Sequence, residues 1–305
     1  MSESPTAGGA TPLAAILCVF GAFFLFSCTD AGAKTLVLAG MHPAFVSWMR
    51  FVVHAILAVL LMRAWWKPGR FLSRRWWAHL LRGAMLFSSG LMAFSALRSL
   101  QLVEFISIIF MAPLVITVLA SVLLGEHVEW RRWMAVLVGL AGVMVITRPG
   151  MGVFQIGHLL AIGAMLAYCV FVILTRFLSA TESQETLLLL PALVAVVGML
   201  PAIPAIASLP VGPLHWVILL SLGIFGASGH WLLIRAYRIA SASALAPYAY
   251  LQMLWTLFFG YMLFGDVPDR WTVVGASIIV ASGLYLMHRD RRSHLVASGV
   301  AGPLR

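Results

Sequence analysis

Ten apolar runs, each near the length that crosses a bilayer, fill this sequence and leave little chain for anything else. A spanning helix needs about 20 predominantly apolar residues. The runs lie near 13–38, 44–62, 77–97, 103–124, 132–146, 156–174, 187–209, 214–234, 242–264 and 271–287. The links between them are short, so no soluble domain is inserted. Only 10% of the 305 residues are charged and 62% are hydrophobic, whereas soluble domains carry about 25% charged residues. A water-facing skin cannot be built from so few polar side chains. The fold class is therefore all-α, an integral membrane protein of ten transmembrane helices.

A net charge of +10 would suggest nucleic acid in a soluble chain. Here the basic residues sit in short links, and no run is long enough to follow a nucleic-acid backbone. Their distribution sets an orientation instead. With the N-terminus cytoplasmic, 15 Lys and Arg residues fall inside, and Lys34, Arg50, Arg98, Arg148 and Arg270 make 5 outside. That asymmetry fits an even number of spans with both termini cytoplasmic, in a bacterial inner membrane. The first run follows no basic signal-peptide stretch and is long enough to be retained as a helix. Trp65, Trp66, Trp76 and Trp77 bracket the most basic link, where indoles serve as interfacial anchors.

The chain repeats itself at long range. At an offset of 140, Arg98 meets Arg238, Gly125 meets Gly265, and Glu126 meets Asp266. A one-residue slip then brings Gly142 to Gly283. The organisation reads as a tail at 1–12, a five-helix repeat at 13–148, a second at 149–288, and a tail at 289–305. An odd number of helices per copy reverses the insertion of the second. Inverted repeats are common among secondary transporters, whose substrate site lies between the copies at the midplane.

Polar groups inside hydrocarbon are costly and each needs a reason. Asp30 and Lys34 lie one helical turn apart and can pair; a gating or proton-linked role for Asp30 is the other reading. Arg50 reads as structural, snorkelling outward from the second helix. Glu104 begins the fourth helix, where an anion is favoured. His79 and His230 are the histidines singled out for function, because imidazole titrates near neutral pH. Pro113 and Pro247 interrupt helical hydrogen bonding in the fourth and ninth spans and are expected to shape a cavity.

Phe23, Ser27, Phe94, Tyr168, Phe171, Tyr250, Gln252 and Trp255 are the expected substrate contacts. Together they suit a small ligand with an apolar body and a polar head. No central cluster of buried Lys or Arg is apparent, which argues against phosphate esters and nucleotide sugars. Cys18, Cys28 and Cys169 read as small apolar fillers. No metal-ligand spacing and no convergent acid–base pair stand out, so neither cofactor nor enzymatic chemistry is expected.

The stretch FISIIFMAPLVITVLASVLLGEHVEWRRWMAVLVGLAGVMVI resembles part of the repeat in the EamA-like branch of the drug/metabolite transporter superfamily. FGDVPDRWTVVGASIIVASGLYL is similar to the same part of the second copy. Pro113, Gly125 and Glu126 match the family's proline and GE landmarks. In the second copy Asp266 replaces the acidic landmark, and Met253 stands where a proline would align with Pro113. The resemblance implies a ten-helix secondary carrier, and the aromatic interior is similar to that of members exporting aromatic amino acids. The expectation is a monomeric exporter working by alternating access on aromatic and other neutral amino acids. Its partners are the small-molecule substrate and membrane lipid, with proton exchange or no coupling as the two energetic options. A channel would need a ring of matched polar groups, and a structural bundle would lack a hydrated cavity.

Overall fold

The computed structural model describes residues 11–61, 75–100, 102–125, 128, 130–147, 155–210, 212–245, 248–249, 252–265, 270–271, 273–275, 277–278, 281–282 and 285. All regular structure among them is helical. Helices α1 (Leu13–Leu38), α2 (Pro43–Leu61) and α3 (Trp76–Ala96) form the first three spans. The fourth is split into α4 (Leu102–Ile109) and α5 (Ala112–Leu124), and α6 (Trp130–Thr147) closes the first repeat. Helix α7 (Ile156–Ser179) opens the second repeat, followed by α8 (Gln184–Met199). Prolines 201 and 204 break the end of that span into a 3-10 turn and α9 (Ile203–Ile206). Helix α10 (Pro213–Ile239) is continuous. The ninth span is split into α11 (Ala242–Leu245) and α12 (Gln252–Phe264), and the described residues between 270 and 285 are helical.

Two boundaries extend furthest beyond those read in the sequence. The sixth and eighth spans run on to Ser179 and Ile239, because Arg176 and Arg238 sit in their last turns. A cation is favoured at a helix C-terminus, so a charge there extends a helix rather than ending it. More consequential are the breaks in the fourth and ninth spans, the two in which the sequence places Pro113 and Pro247. Pro113 has no N–H and its ring crowds the carbonyl four residues back. The helix accordingly ends at Ile109 and restarts at Ala112 with Pro113 in its first turn.

Helix packing carries the symmetry of the repeat. The two most extensive interfaces are α1 against α10 and α3 against α7. Exchanging the two copies turns spans one and eight into spans six and three, so each interface maps onto the other. Likewise α2 against α10 maps onto α8 against α3, and α2 against α8 maps onto itself. Gly125 and Gly265, aligned in the sequence, both end the second half of a broken span with positive φ of 64° and 70°. Glycine adopts that left-handed conformation without a Cβ clash. The result is an all-helical membrane fold of two inverted copies.

Candidate substrate cavity

A cavity of about 120 Å³ lies between the copies. From the first repeat it is lined by α1 (Phe23, Phe26, Thr29, Asp30), α2 (Arg50), α3 (Ser89, Gly90, Phe94) and the broken fourth span (Phe110, Ala112, Pro113). From the second come Tyr168 of α7, His230 and Tyr237 of α10, and Leu245, Ala249 and Gln252 of the ninth span. Both broken spans therefore meet it. Irregular backbone at membrane depth is tolerated where it borders a protected cavity rather than lipid, and discontinuous helices line the sites of many carriers.

Of the residues expected at the site, Phe23, Phe94, Tyr168, His230, Gln252, Asp30 and Pro113 line this cavity. Ser27 is buried, but it is not among the lining residues. Phe171 stands one layer back, with its ring 5.4 Å from that of His230. Trp255 packs instead against Phe24 and Phe20, at ring separations of 4.8 and 5.4 Å. His79 is also remote from the lining residues. It sits in the first turn of α3 with Nε2 3.8 Å from Glu182 Oε2. The side chain of Glu104, and residues Pro247 and Tyr250, lie outside the described residues.

The charged groups depart most from expectation. No ion pair joins Asp30 to Lys34 among the described residues. The Lys34 ammonium instead lies over the Phe264 ring, 4.9 Å from its centroid, and Asp30 faces the cavity. Gln252 Nε2 donates to Asp30 Oδ2 at 3.5 Å, a long contact that points the amide at the carboxylate. Arg50 does not snorkel. It is 8% exposed and lines the cavity, its guanidinium 4.4 Å from the Phe51 centroid and 5.3 Å from that of Phe94. Two aromatic faces stabilise the cation without satisfying its N–H groups. Among the described residues, Nε and Nη2 of Arg50 have no hydrogen-bond partner.

Arg82, within the third apolar run, is 1% exposed inside α3. Its Nε donates to Thr175 Oγ1 at 2.8 Å and its Nη1 to the Leu187 carbonyl at 2.7 Å, with the Phe171 ring 4.8 Å away. Between the two arginines runs a buried aromatic column. His54 stacks on His230 at 5.9 Å, His230 meets Phe26 at 4.9 Å, and Phe171 completes the path to Arg82. The interior thus holds two buried arginines, and the sequence argument against anionic substrates loses its premise.

The model of the EamA-like transporter family matches residues 13–148 and again residues 155–287. The chain belongs to that family. This EamA-like transporter is similar to the S-adenosylmethionine uptake transporter of Rickettsia prowazekii, with 28% identity over 83% of this chain and 85% of the relative. It is similar to the pseudopaline exporter of Pseudomonas aeruginosa, with 26% identity over 87% of this chain and 93% of the relative. It also resembles the riboflavin transporter of Vibrio cholerae, with 29% identity over 63% of this chain and 66% of the relative. A solved crystal structure shares the fold at a TM-score of 0.72 and 18% identity, covering 91% of this chain and 98% of that one. The EamA-like transporter is a multi-pass membrane transport protein, not an enzyme. None of these three relatives is named as an aromatic amino-acid exporter.

Proposed function

We propose that this EamA-like transporter is a secondary carrier of small amphipathic metabolites in the bacterial inner membrane, and that aromatic and other neutral amino acids are its first substrate class. The observation that carries the reading is the cavity between the broken spans. Its walls are largely aromatic and aliphatic, and its polar side chains are Thr29, Asp30, Arg50, Ser89, Tyr168, His230, Tyr237 and Gln252. That mixture suits an apolar body with a charged or polar head. The inverted packing supports alternating access, because two copies of one unit can exchange conformations about a shared site.

A second reading is favoured by the named relatives. S-adenosylmethionine also joins an amino-acid head to a flat ring system, so the same cavity chemistry suits it. Direction follows the gradients of the substrate and of any coupled ion, which is consistent with relatives named for both uptake and export.

The test is counterflow and net flux in proteoliposomes of the purified protein, with radiolabelled phenylalanine, tryptophan, threonine, S-adenosylmethionine and riboflavin, with and without a proton gradient. Saturable movement of an amino acid or of S-adenosylmethionine is the expected result. Movement of riboflavin alone would reject the proposed substrate class, and current without saturation would replace the carrier by a channel.

A further inference from the structure

The lining of the cavity contains a cation and an anion that do not satisfy each other. Arg50 is more than nine-tenths buried, yet its Nε and Nη2 are without hydrogen-bond partners among the described residues. A buried guanidinium edge left open is costly, because charged donors removed from water need acceptors. Asp30 lines the same cavity, and no ion pair within 4.0 Å joins it to Arg50 among the described residues. Its hydrogen-bond partner among the described residues is the long contact from Gln252, and Arg50 acts on it only through the longer-range attraction of opposite charges. These are the only Asp and Arg among the described lining residues.

We infer that Arg50 and Asp30 together form a receptor for an α-amino-acid head group. The inference rests on the carrier reading above and specifies what its site recognises. The adjacent Nε–H and Nη2–H of Arg50 present the two-pronged edge that matches a carboxylate. An α-ammonium then donates to the free lone pairs of Asp30, while Gln252 holds that carboxylate from its other side. Charge balance selects for the zwitterion. One positive and one negative charge on the substrate neutralise one negative and one positive charge in the wall. A dianion would leave Asp30 opposed by a like charge, and a simple amine would leave Arg50 unmatched.

The close approach of Gly90 sharpens the geometry. A Cβ on Gly90 would stand 2.7 Å from Arg50 Nη2, so the guanidinium rests against bare backbone. The Phe51 and Phe94 rings lie 4.4 and 5.3 Å from the guanidinium, and its Nε and Nη2 are buried without hydrogen-bond partners among the described residues.

The experiment is inhibition of counterflow in proteoliposomes without an ion gradient, so that coupling does not enter. For phenylalanine as the transported label, the competitors are phenylalanine, its amide and 3-phenylpropionate. For S-adenosylmethionine they are the parent compound and its decarboxylated form, which lacks only the head carboxylate. Loss of either charge from the head should weaken inhibition roughly ten- to hundredfold, the span expected for one charge-assisted contact. Arg50→Gln should abolish the preference for the acid over the amide. Asp30→Asn should abolish the preference for phenylalanine over 3-phenylpropionate. The competitor series on the unaltered protein decides the matter even if neither variant folds. Equal inhibition by intact and truncated heads overturns the inference, as does counterflow of riboflavin alone, which leaves the carrier itself standing. Absence of saturable counterflow for every label overturns the carrier reading and the inference with it.

Discussion

Arg50 is the residue on which the site turns, and hydropathy alone hides it. A charge within about two turns of a helix end reads as a snorkelling anchor, because the stem can lie in lipid while the head reaches water. The overlooked signal was its company. Ser47, Arg50 and His54 are spaced i, i+3 and i+7, which puts them on one face of α2, and all three are buried. A polar stripe on a spanning helix faces protein, not lipid. Gly90→Ala tests the seat of this arginine. The added methyl meets the tip of a flexible side chain, so the protein should stay folded while Arg50 is displaced. The expected outcome is a normal melting temperature with substrate affinity reduced several-fold, read by thermal melts and by half-saturation of flux. Arg82 makes the opposite case, since its hydrogen bonds run to Thr175 and to a backbone carbonyl. Arg82→Lys keeps the charge but cannot reproduce the fork. Loss of one charged hydrogen bond should cost about 1.5–3 kcal/mol, seen as a lower melting temperature in detergent.

At the scale of elements, ten spans were legible because twenty-residue apolar runs have few other fates. The breaks were not, because hydropathy averages over a window and cannot register one missing hydrogen bond. Pro113 was visible as an irregularity, and the structure shows the break falling immediately before its half-helix. The ninth span is more instructive, since Met253 occupies the position aligned with Pro113 and the span is broken nonetheless. The second copy carries its own proline, Pro247, six residues before the position aligned with Pro113. Pro113→Ala restores a donor for the Ile109 carbonyl and removes a clash worth about 3 kcal/mol in a regular helix. The variant should be at least as stable as the parent and should transport more slowly, because straightening the span fills the wall of the cavity. Comparing melting temperature with initial flux separates the two effects; equal flux would mean the break is dispensable.

For the whole molecule, alternating access requires that the contacts closing one end be exchangeable for their counterparts at the other. Near the end of α1 that begins at Leu13, the second repeat is tied together by hydrogen bonds that include charged donors. Arg176 Nη1 donates to the Tyr237 carbonyl at 2.6 Å, and Arg238 Nη2 donates to the Glu182 carbonyl at 2.6 Å. Gln184 Nε2 adds a bond to the Trp231 carbonyl at 3.1 Å. These ties fasten the ends of α7 and α8 to α10. At the opposite end, the recorded ties between α2 and the seventh span use neutral groups, with Trp48 Nε1 donating to the Val196 carbonyl at 3.1 Å and the His42 N–H to Ser208 Oγ at 2.8 Å. Arginines that hold backbone carbonyls bias the carrier toward closure where they lie, and their removal should shift the population toward opening there. The measurement is maleimide labelling of Ser89→Cys, a cavity position, in a background with the three native cysteines replaced by alanine. Arg176→Ala combined with Arg238→Ala should raise the rate of labelling by a membrane-impermeant reagent added from that end. Because Arg238 is exposed and its bond correspondingly weaker, the expected increase is about tenfold, equivalent to about 1.4 kcal/mol. An unchanged rate would move the closing energy from these polar ties to the apolar packing of α1 on α10 and α3 on α7.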